Sequence, residues 1–283
     1  MILVTGATGQ LGNLIVNNLI KRGTPANQIV VAVRSPEKAQ TLAEQGVVVR
    51  KADYSDPASL NAAFEGVKRL VLVSSSEIGQ RFPQHKNVID AAKQAHVELL
   101  AYTSIIRAQE SPLALAEEHV QTEQALVASG VPFVMLRNGW YSENYTASVA
   151  MALEHGVVLG SAGQGKYSTA ARQDYAEAAA IVITSDNQAG KTYELAGDEA
   201  FTLAEYAAAI SEVTGKSVVY QDLPVEEYTK VLIGVGLPEA FAGLLAHSDV
   251  GASKGGLFSD SKDLSTLIGR PTTSIKDSIK AAL

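Results

Sequence analysis

The chain has no cysteine among its 283 residues. Disulfides, thiolate metal sites and a cysteine nucleophile are therefore excluded. Aromatic residues are scarce, at 6% with a single tryptophan, so any local concentration of them is informative. No run of about 18 apolar residues occurs, and no membrane-spanning helix is expected. Positive charge is short as well. The 23 Lys and Arg face 30 Asp and Glu, and a net charge of −7 argues against nucleic acid as a partner. The first residues read as a strand with no basic leader ahead of them, so a cytoplasmic location is expected. Repeats and low-complexity segments are absent.

What is present is an alternation. Apolar strand candidates fall at 2–5, 29–33, 47–50, 69–73, 98–102 and 132–136, with helical patterns near 11–22, 36–45, 57–64, 83–95 and 114–129. Such alternation forms a parallel sheet covered on both faces and joined by right-handed crossovers. The run Ile29-Val30-Val31-Ala32-Val33, apolar throughout, suits a strand buried on both sides. Beyond about 150 the alternation weakens. A glycine-rich loop at 160–166 precedes a helix from near Asp174, a strand at 192–195, a helix at 202–214 and a strand at 218–221. Two helical patterns over 225–247 and a flexible loop at 249–258 follow. The expected architecture is α/β: a Rossmann-type doubly wound parallel sheet over 1–150 for the cofactor. A smaller α/β lobe over 151–283, interwoven rather than independent, serves the substrate.

Residues Gly6-Ala7-Thr8-Gly9-Gln10-Leu11-Gly12 join the first strand to the first helix. In such a unit Gly6 allows the tight turn, Gly9 lets the backbone approach a pyrophosphate, and Gly12 lets the helix pack on the strand. The free N–H groups at the helix start and its positive dipole end stabilise the anion. The GxxGxxG spacing resembles the short-chain dehydrogenase/reductase branch of dinucleotide-binding proteins, above all its extended and atypical members. The second strand ends in Arg34-Ser35, where an NAD-selective site usually carries Asp or Glu. A guanidinium there suits a 2′-phosphate and points to NADPH, with Lys38 and Lys51 adding local positive charge.

Ligands on such a sheet bind at the carboxyl ends of the strands. After the third strand, Asp53 is either an adenine contact or part of the N-cap region of the helix near Pro57. After the fourth, Ser74, Ser75 and Ser76 leave room for a cofactor and offer hydrogen bonds. Tyr102 and Thr103 follow the fifth. After the sixth comes Asn138-Gly139-Trp140-Tyr141-Ser142-Glu143-Asn144-Tyr145, the richest segment. Aromatic faces suit a flat nicotinamide and a flat substrate, and amides orient a carbonyl. The Tyr-x-x-x-Lys pair that short-chain dehydrogenases use for proton transfer is missing. Registering on Glu123 puts Leu115 and His119 at its two positions. His119 reads either as a proton donor or as a surface histidine beside Glu117 and Glu118.

The stretches GATGQLG at 6–12, Val33 to Ala39, SSSEIGQR at 74–81, RNGWYSENY at 137–145 and SKDLSTLIGRPTTSI at 261–275 resemble the NmrA-like atypical short-chain reductases. The resemblance spans essentially the whole chain and is strongest toward the quinone-reducing branch. It implies NADPH as cofactor, no flavin, no metal, and quinone substrates. It also implies cofactor contacts from Gly6 to Gly12, Arg34, Ser74 to Ser76 and Asn138 to Asn144, with Arg172 reaching in from the loop after 165. Asn144 carries over as important for catalysis. Asn144 and the Tyr145 hydroxyl are then expected to orient the nicotinamide or the quinone oxygen, with Ile78, Gly79, Phe82 and Phe258 as pocket walls. A quinone fits the missing tyrosine. Its reduced oxyanion is far less basic than an alkoxide, so positioning and fixed donors suffice. Two alternatives stand beside this one: a dinucleotide sensor that binds a regulatory protein, and a reductase of another acceptor such as a triphenylmethane dye. A homo-oligomer would be ordinary, although the sequence shows no seam.

Arg34→Ser should weaken NADPH about ten- to a hundredfold, because a charge-assisted hydrogen bond is worth roughly 1.5–3 kcal/mol. NADH should lose much less. Titration of the variant with both cofactors checks this, and an equal loss would sink the assignment.

Overall fold

Short β-branched runs between amphipathic helices lay down a parallel sheet. A computed structural model describes residues 1–283. The first half gives β1 (Ile2–Thr5), α1 (Gln10–Lys21), β2 (Ile29–Val33), α2 (Gln40–Glu44), β3 (Val48–Lys51), α3 (Pro57–Ala63), β4 (Arg69–Leu72), α4 (Arg81–Gln94), β5 (Leu99–Ile105), α5 (Ala116–Ser129) and β6 (Phe133–Asn138). The second gives α6 (Glu143–Thr146), α7 (Val149–His155), β7 (Val157–Gly160), α8 (Arg172–Thr184), β8 (Thr192–Leu195), α9 (Leu203–Thr214), β9 (Val219–Asp222), α10 (Val225–Gly234), α11 (Glu239–Ser253), α12 (Asp263–Ile268) and α13 (Ile275–Ala282).

The main sheet runs β3-β2-β1-β4-β5-β6-β8, and every neighbouring pair is parallel. Strand order reverses at β1, between β2 and β4, which is where a crevice opens beyond the carboxyl ends. The two-residue period of each strand feeds two separate cores. Ile29, Val31 and Val33 pack with Leu11, Ile15 and Leu19 of α1 and with Ala176, Ala179 and Ile183 of α8. Val30 and Ala32 face the other way, onto Leu60, Phe64, Val88 and Ile89. All five β2 residues are buried, and each Val or Ile contributes about 1.5–3 kcal/mol. A third cluster, including Tyr167, Phe201, Tyr206 and Ile210, fills a smaller lobe around the parallel pair β7–β9. No helix is long and apolar enough to cross a membrane.

Several sequence expectations need correction. β5 and β6 run further than their apolar cores, pairing as far as Ile105↔Asn138. Thr103 and Asn138 therefore lie in strands rather than loops. β8 pairs with β6 and covers that edge of the main sheet, while α8 packs on α1. The segment 249–253 is the last turn of α11 rather than a flexible loop. The Asp249 carboxylate anchors it, accepting the Ser161 N–H and the Tyr167 hydroxyl, both at 2.9 Å. Gly251 supplies the close approach, since a side chain there would overlap Leu113.

A buried ion pair ties α5, β6 and β8 together. The Arg137 guanidinium donates to Glu123 through Nε (2.9 Å) and Nη2 (2.7 Å), and through Nη1 to Glu194 (2.8 Å). The Ser104 hydroxyl donates to the same Glu123 carboxylate at 2.7 Å. Glu123 is only 2% exposed, so removing it leaves a partly buried cation short of its partner. Glu123→Ala should lower stability by about 3 kcal/mol, seen as a reduced urea midpoint with an unchanged slope.

Candidate active site

The glycine turn sits at the reversal point of the sheet. Gly6 has φ +61°, and a Cβ there would meet Val73 on β4's side. A Cβ on Gly12 would overlap the Gly6 carbonyl, so only glycine lets α1 come this close to β1. Gly9 is the N-cap, with no side-chain cap and no acidic residue in the first turn. The first helical bond runs from Asn13 N to Gly9 O at 3.0 Å. The amides of Gln10, Leu11 and Gly12 are thus left to a ligand, and the local field favours an anion. Ala7 and Leu11 turn inward to the core, while Thr8 and Gln10 are exposed. This cradle fits a dinucleotide pyrophosphate.

On the nucleotide side, Arg34 stands at the end of β2 and its Nη1 donates to Glu77 Oε1 at 2.7 Å. Asp56, not Asp53, caps α3, accepting the Ala58 and Ser59 N–H groups. Asp53 stands just ahead of that cap, its carboxylate accepting the Ser55 N–H at 2.8 Å and its own N–H donating to Ser59 Oγ of α3 at 3.0 Å. Ser74 to Ser76 form a tightly bonded loop. Ser74 N–H donates to Thr103 Oγ1 (2.9 Å) and Ser75 N–H to His85 Nε2 (2.9 Å), while the Ser75 hydroxyl donates to Gln84. The Gly79 and Phe82 N–H groups both donate to Glu118 of α5, at 3.1 and 3.2 Å. Ile78 at the loop tip is 53% exposed.

Two expected residues belong to the core instead. Tyr102 is fully buried and its hydroxyl bonds to His119 Nδ1 at 2.7 Å, so it has no face left for a cofactor. Thr103 is spent on bridging β5 to the end of β4, accepting the Ser74 N–H. His119 is likewise no surface residue. Helical periodicity places it with Ala116, Thr122, Glu123 and Leu126 on the inward face of α5, whatever its sequence neighbours. Burial holds the His119 imidazole well below the usual histidine range, with Arg81 adding to the effect. Its Nδ1 is taken up by the Tyr102 hydroxyl inside the core.

The segment after β6 gathers most of the remaining candidates. Asn138 Oδ1 is buried without a hydrogen-bond partner. Gly139 is required by packing, since a Cβ would press on Tyr175 Oη and the Leu195 carbonyl. Trp140 packs against the lobe core. The Arg172 guanidinium lies over the Tyr141 ring, 4.8 Å from its centroid, and its Nη2 donates to Asn144 Oδ1 at 3.0 Å. The Arg172 backbone N–H donates to Glu143 at 2.9 Å. Glu143 thereby supplies the cap that Ala171, the residue at the start of α8, lacks. Tyr145 turns away from Asn144. Its ring packs edge-on to Tyr167, Phe201 and Tyr206, and burial pushes its hydroxyl well above the usual tyrosine range. Phe258 lies in the lobe segment after α11, beneath Lys166.

Sequence reading gave no organising role to Glu77, Glu118 and Glu143, whose farthest partners lie 29 to 43 residues away along the chain. Only the cap-less start of α8 hinted at any of them. No group of three His, Cys, Asp or Glu is placed to hold a metal.

The strand-order reversal and the anion cradle at α1 mark a doubly wound dinucleotide-binding fold. The chain belongs to the NmrA-like family, whose model matches residues 1–274. It is 57% identical over 279 residues to quinone oxidoreductase 2 of Escherichia coli K12, covering 99% of this chain and 97% of that protein. The crystal structure of an E. coli NADPH-dependent quinone oxidoreductase complexed with NADPH superposes with a TM-score of 0.97 at 56% identity, covering 99% of both chains. The triphenylmethane reductase of Citrobacter sp. complexed with NADP(H) gives 0.96 at 40% identity over 100% of both chains.

His85 makes a pH test of this site's scaffold. Burial, then Arg81, lowers its pKa from the usual 6.5 to about 3, and His119 shifts the same way. The unfolded chain binds the His85 proton between about pH 3 and 6.5 and the folded one does not, and His119 adds to the difference in the same direction. Their contribution to stability is therefore complete above about pH 6.5 and falls as pH drops, by about 1.4 kcal/mol per pH unit for each histidine. Urea unfolding from about pH 7.5 down to about 5 should show this slope. His119→Gln should reduce it by one histidine's share.

Proposed function

We propose that this protein is an NADPH-dependent quinone oxidoreductase that works by direct transfer, without flavin or metal. The observation that carries the reading is the Asn144 amide, held by Arg172 in the segment that follows the carboxyl end of β6. Bound NADPH supplies the hydride that reduces the quinone. The amides at the start of α1 hold the pyrophosphate and Arg34 takes the 2′-phosphate. Because Asn144 Oδ1 accepts from Arg172, its Nδ2 protons are left to donate to a carbonyl or a developing oxyanion. Arg172 adds a fixed positive charge next to that donor. Asn138 Oδ1 offers an acceptor for an amide N–H, and Ser74 to Ser76 border the crevice from β4. Ile78, Phe82 and Phe258 provide apolar surface for a flat ring, with Gly79 fixed by Glu118. Tyr145 anchors the same segment to the lobe core through Tyr167, Phe201 and Tyr206.

The quinone is favoured over a dye by the relatives. Identity is 57% to the E. coli quinone oxidoreductase and 40% to the dye reductase. A chain with no cysteine suits the cytoplasm.

The test follows NADPH oxidation by the nicotinamide absorbance, with and without 1,4-benzoquinone or menadione, on flavin-free protein. Quinone-dependent turnover that prefers NADPH to NADH is expected. Asn144→Ala should lower kcat by about a hundredfold while leaving NADPH affinity near that of the parent. Tight NADPH binding with no turnover would replace the enzyme by a sensor, and turnover on triphenylmethane dyes alone would change the acceptor.

A further inference from the structure

Glu77 has no part in the cofactor reading above, yet it occupies the group on which NADPH selectivity rests. Arg34 follows β2 and Glu77 lies in the loop after β4, and the two strands flank β1. Their 2.7 Å bond therefore links the two sides of the crevice at whose centre the Gly6–Gly12 turn lies. The contact is a built one. Glu77 Oε2 accepts the Gln84 amide at 2.7 Å, and the Glu77 N–H donates to Ser75 Oγ at 3.2 Å. Gln84 is itself buried and bonded to the Ser75 hydroxyl. One carboxylate oxygen is thus fixed by α4 while the other is presented to Arg34. The guanidinium makes that single side-chain hydrogen bond.

We infer that Glu77 is a specificity-determining carboxylate that competes with the cofactor's 2′-phosphate for Arg34. This rests on the NADPH reading of Arg34. In the free protein Glu77 neutralises the guanidinium and holds it at the crevice. A 2′-phosphate, with more charge and three acceptor oxygens, takes the guanidinium over and leaves Glu77 with Gln84. NADH has no such phosphate and leaves the pair intact. Glu77 consequently moderates NADPH affinity without touching NADH affinity, and it speeds the departure of NADP+ by offering Arg34 a returning partner.

The experiment is a titration of wild type, Glu77→Gln, Arg34→Gln and the double variant with NADPH and with NADH, alongside stopped-flow release of NADP+. Glu77→Gln should bind NADPH about threefold tighter and release NADP+ correspondingly more slowly, the range expected for one exposed ion pair. NADH affinity should stay unchanged. In the Arg34→Gln background the Glu77 substitution should have no effect on NADPH. Unchanged or weaker NADPH binding in Glu77→Gln, or an equal shift for both cofactors, would overturn the competition. A wild type with no preference for NADPH would instead overturn the cofactor reading itself, and the inference with it.

Discussion

Everything at the site depends on how closely α1 approaches the end of β1. With no side chain on Gly12, the helix start rests against the Gly6 carbonyl, and its unpaired amides point out of the sheet at the place where strand order reverses. A larger residue would tilt the helix and disperse those donors. The same contact fixes the geometry of neighbouring strands. β2 brings Arg34 to one side of the turn, and β4 brings the serine loop to the other. Thr5 stitches the second junction, its hydroxyl accepting the Val73 N–H and donating to the Val71 carbonyl.

Carboxylates do much of the remaining organisation without being expected ligands themselves. Glu118 collects two backbone N–H groups from the start of α4, and Glu143 collects that of Arg172. In each case an acidic side chain satisfies a helix N-terminus that lacks its own cap, the arrangement that stabilises both the charge and the orphan donors. The payoff at Asn144 is orientation. An amide whose oxygen is already engaged presents its N–H groups in one sense only.

The fold was legible because it is written in period and punctuation. Val30 and Val31 face opposite cores for the reason their alternation implies, and the three glycines could be assigned separate tasks before any coordinate. Residues whose role depends on distant contacts were not legible. Tyr102 reads as a loop aromatic, but β5 continues past it and its hydroxyl meets His119 inside the core. His119 reads as a proton donor or as a surface histidine beside Glu117 and Glu118, whereas the buried residues three and four positions along the helix set its place in the core. Asp249 sits among small residues that suggest a loop, and only its bonds to Ser161 and Tyr167 show a helix end buried in the lobe. Tyr145, next to Asn144 in sequence, points elsewhere because α6 turns successive side chains to different faces.

The late arrival of β8 bears on how the chain is made. Its seventh strand is encoded after the first strand of the lobe, and α12 is held there by the Asp263 carboxylate on the Glu194 N–H. During synthesis the first six strands can emerge and pair, but the β6 edge stays bare until residue 195 has cleared the ribosome. Over that interval a row of unpaired backbone groups is open to another nascent chain. A polypeptide stopped between β6 and β8 would keep that edge open for good.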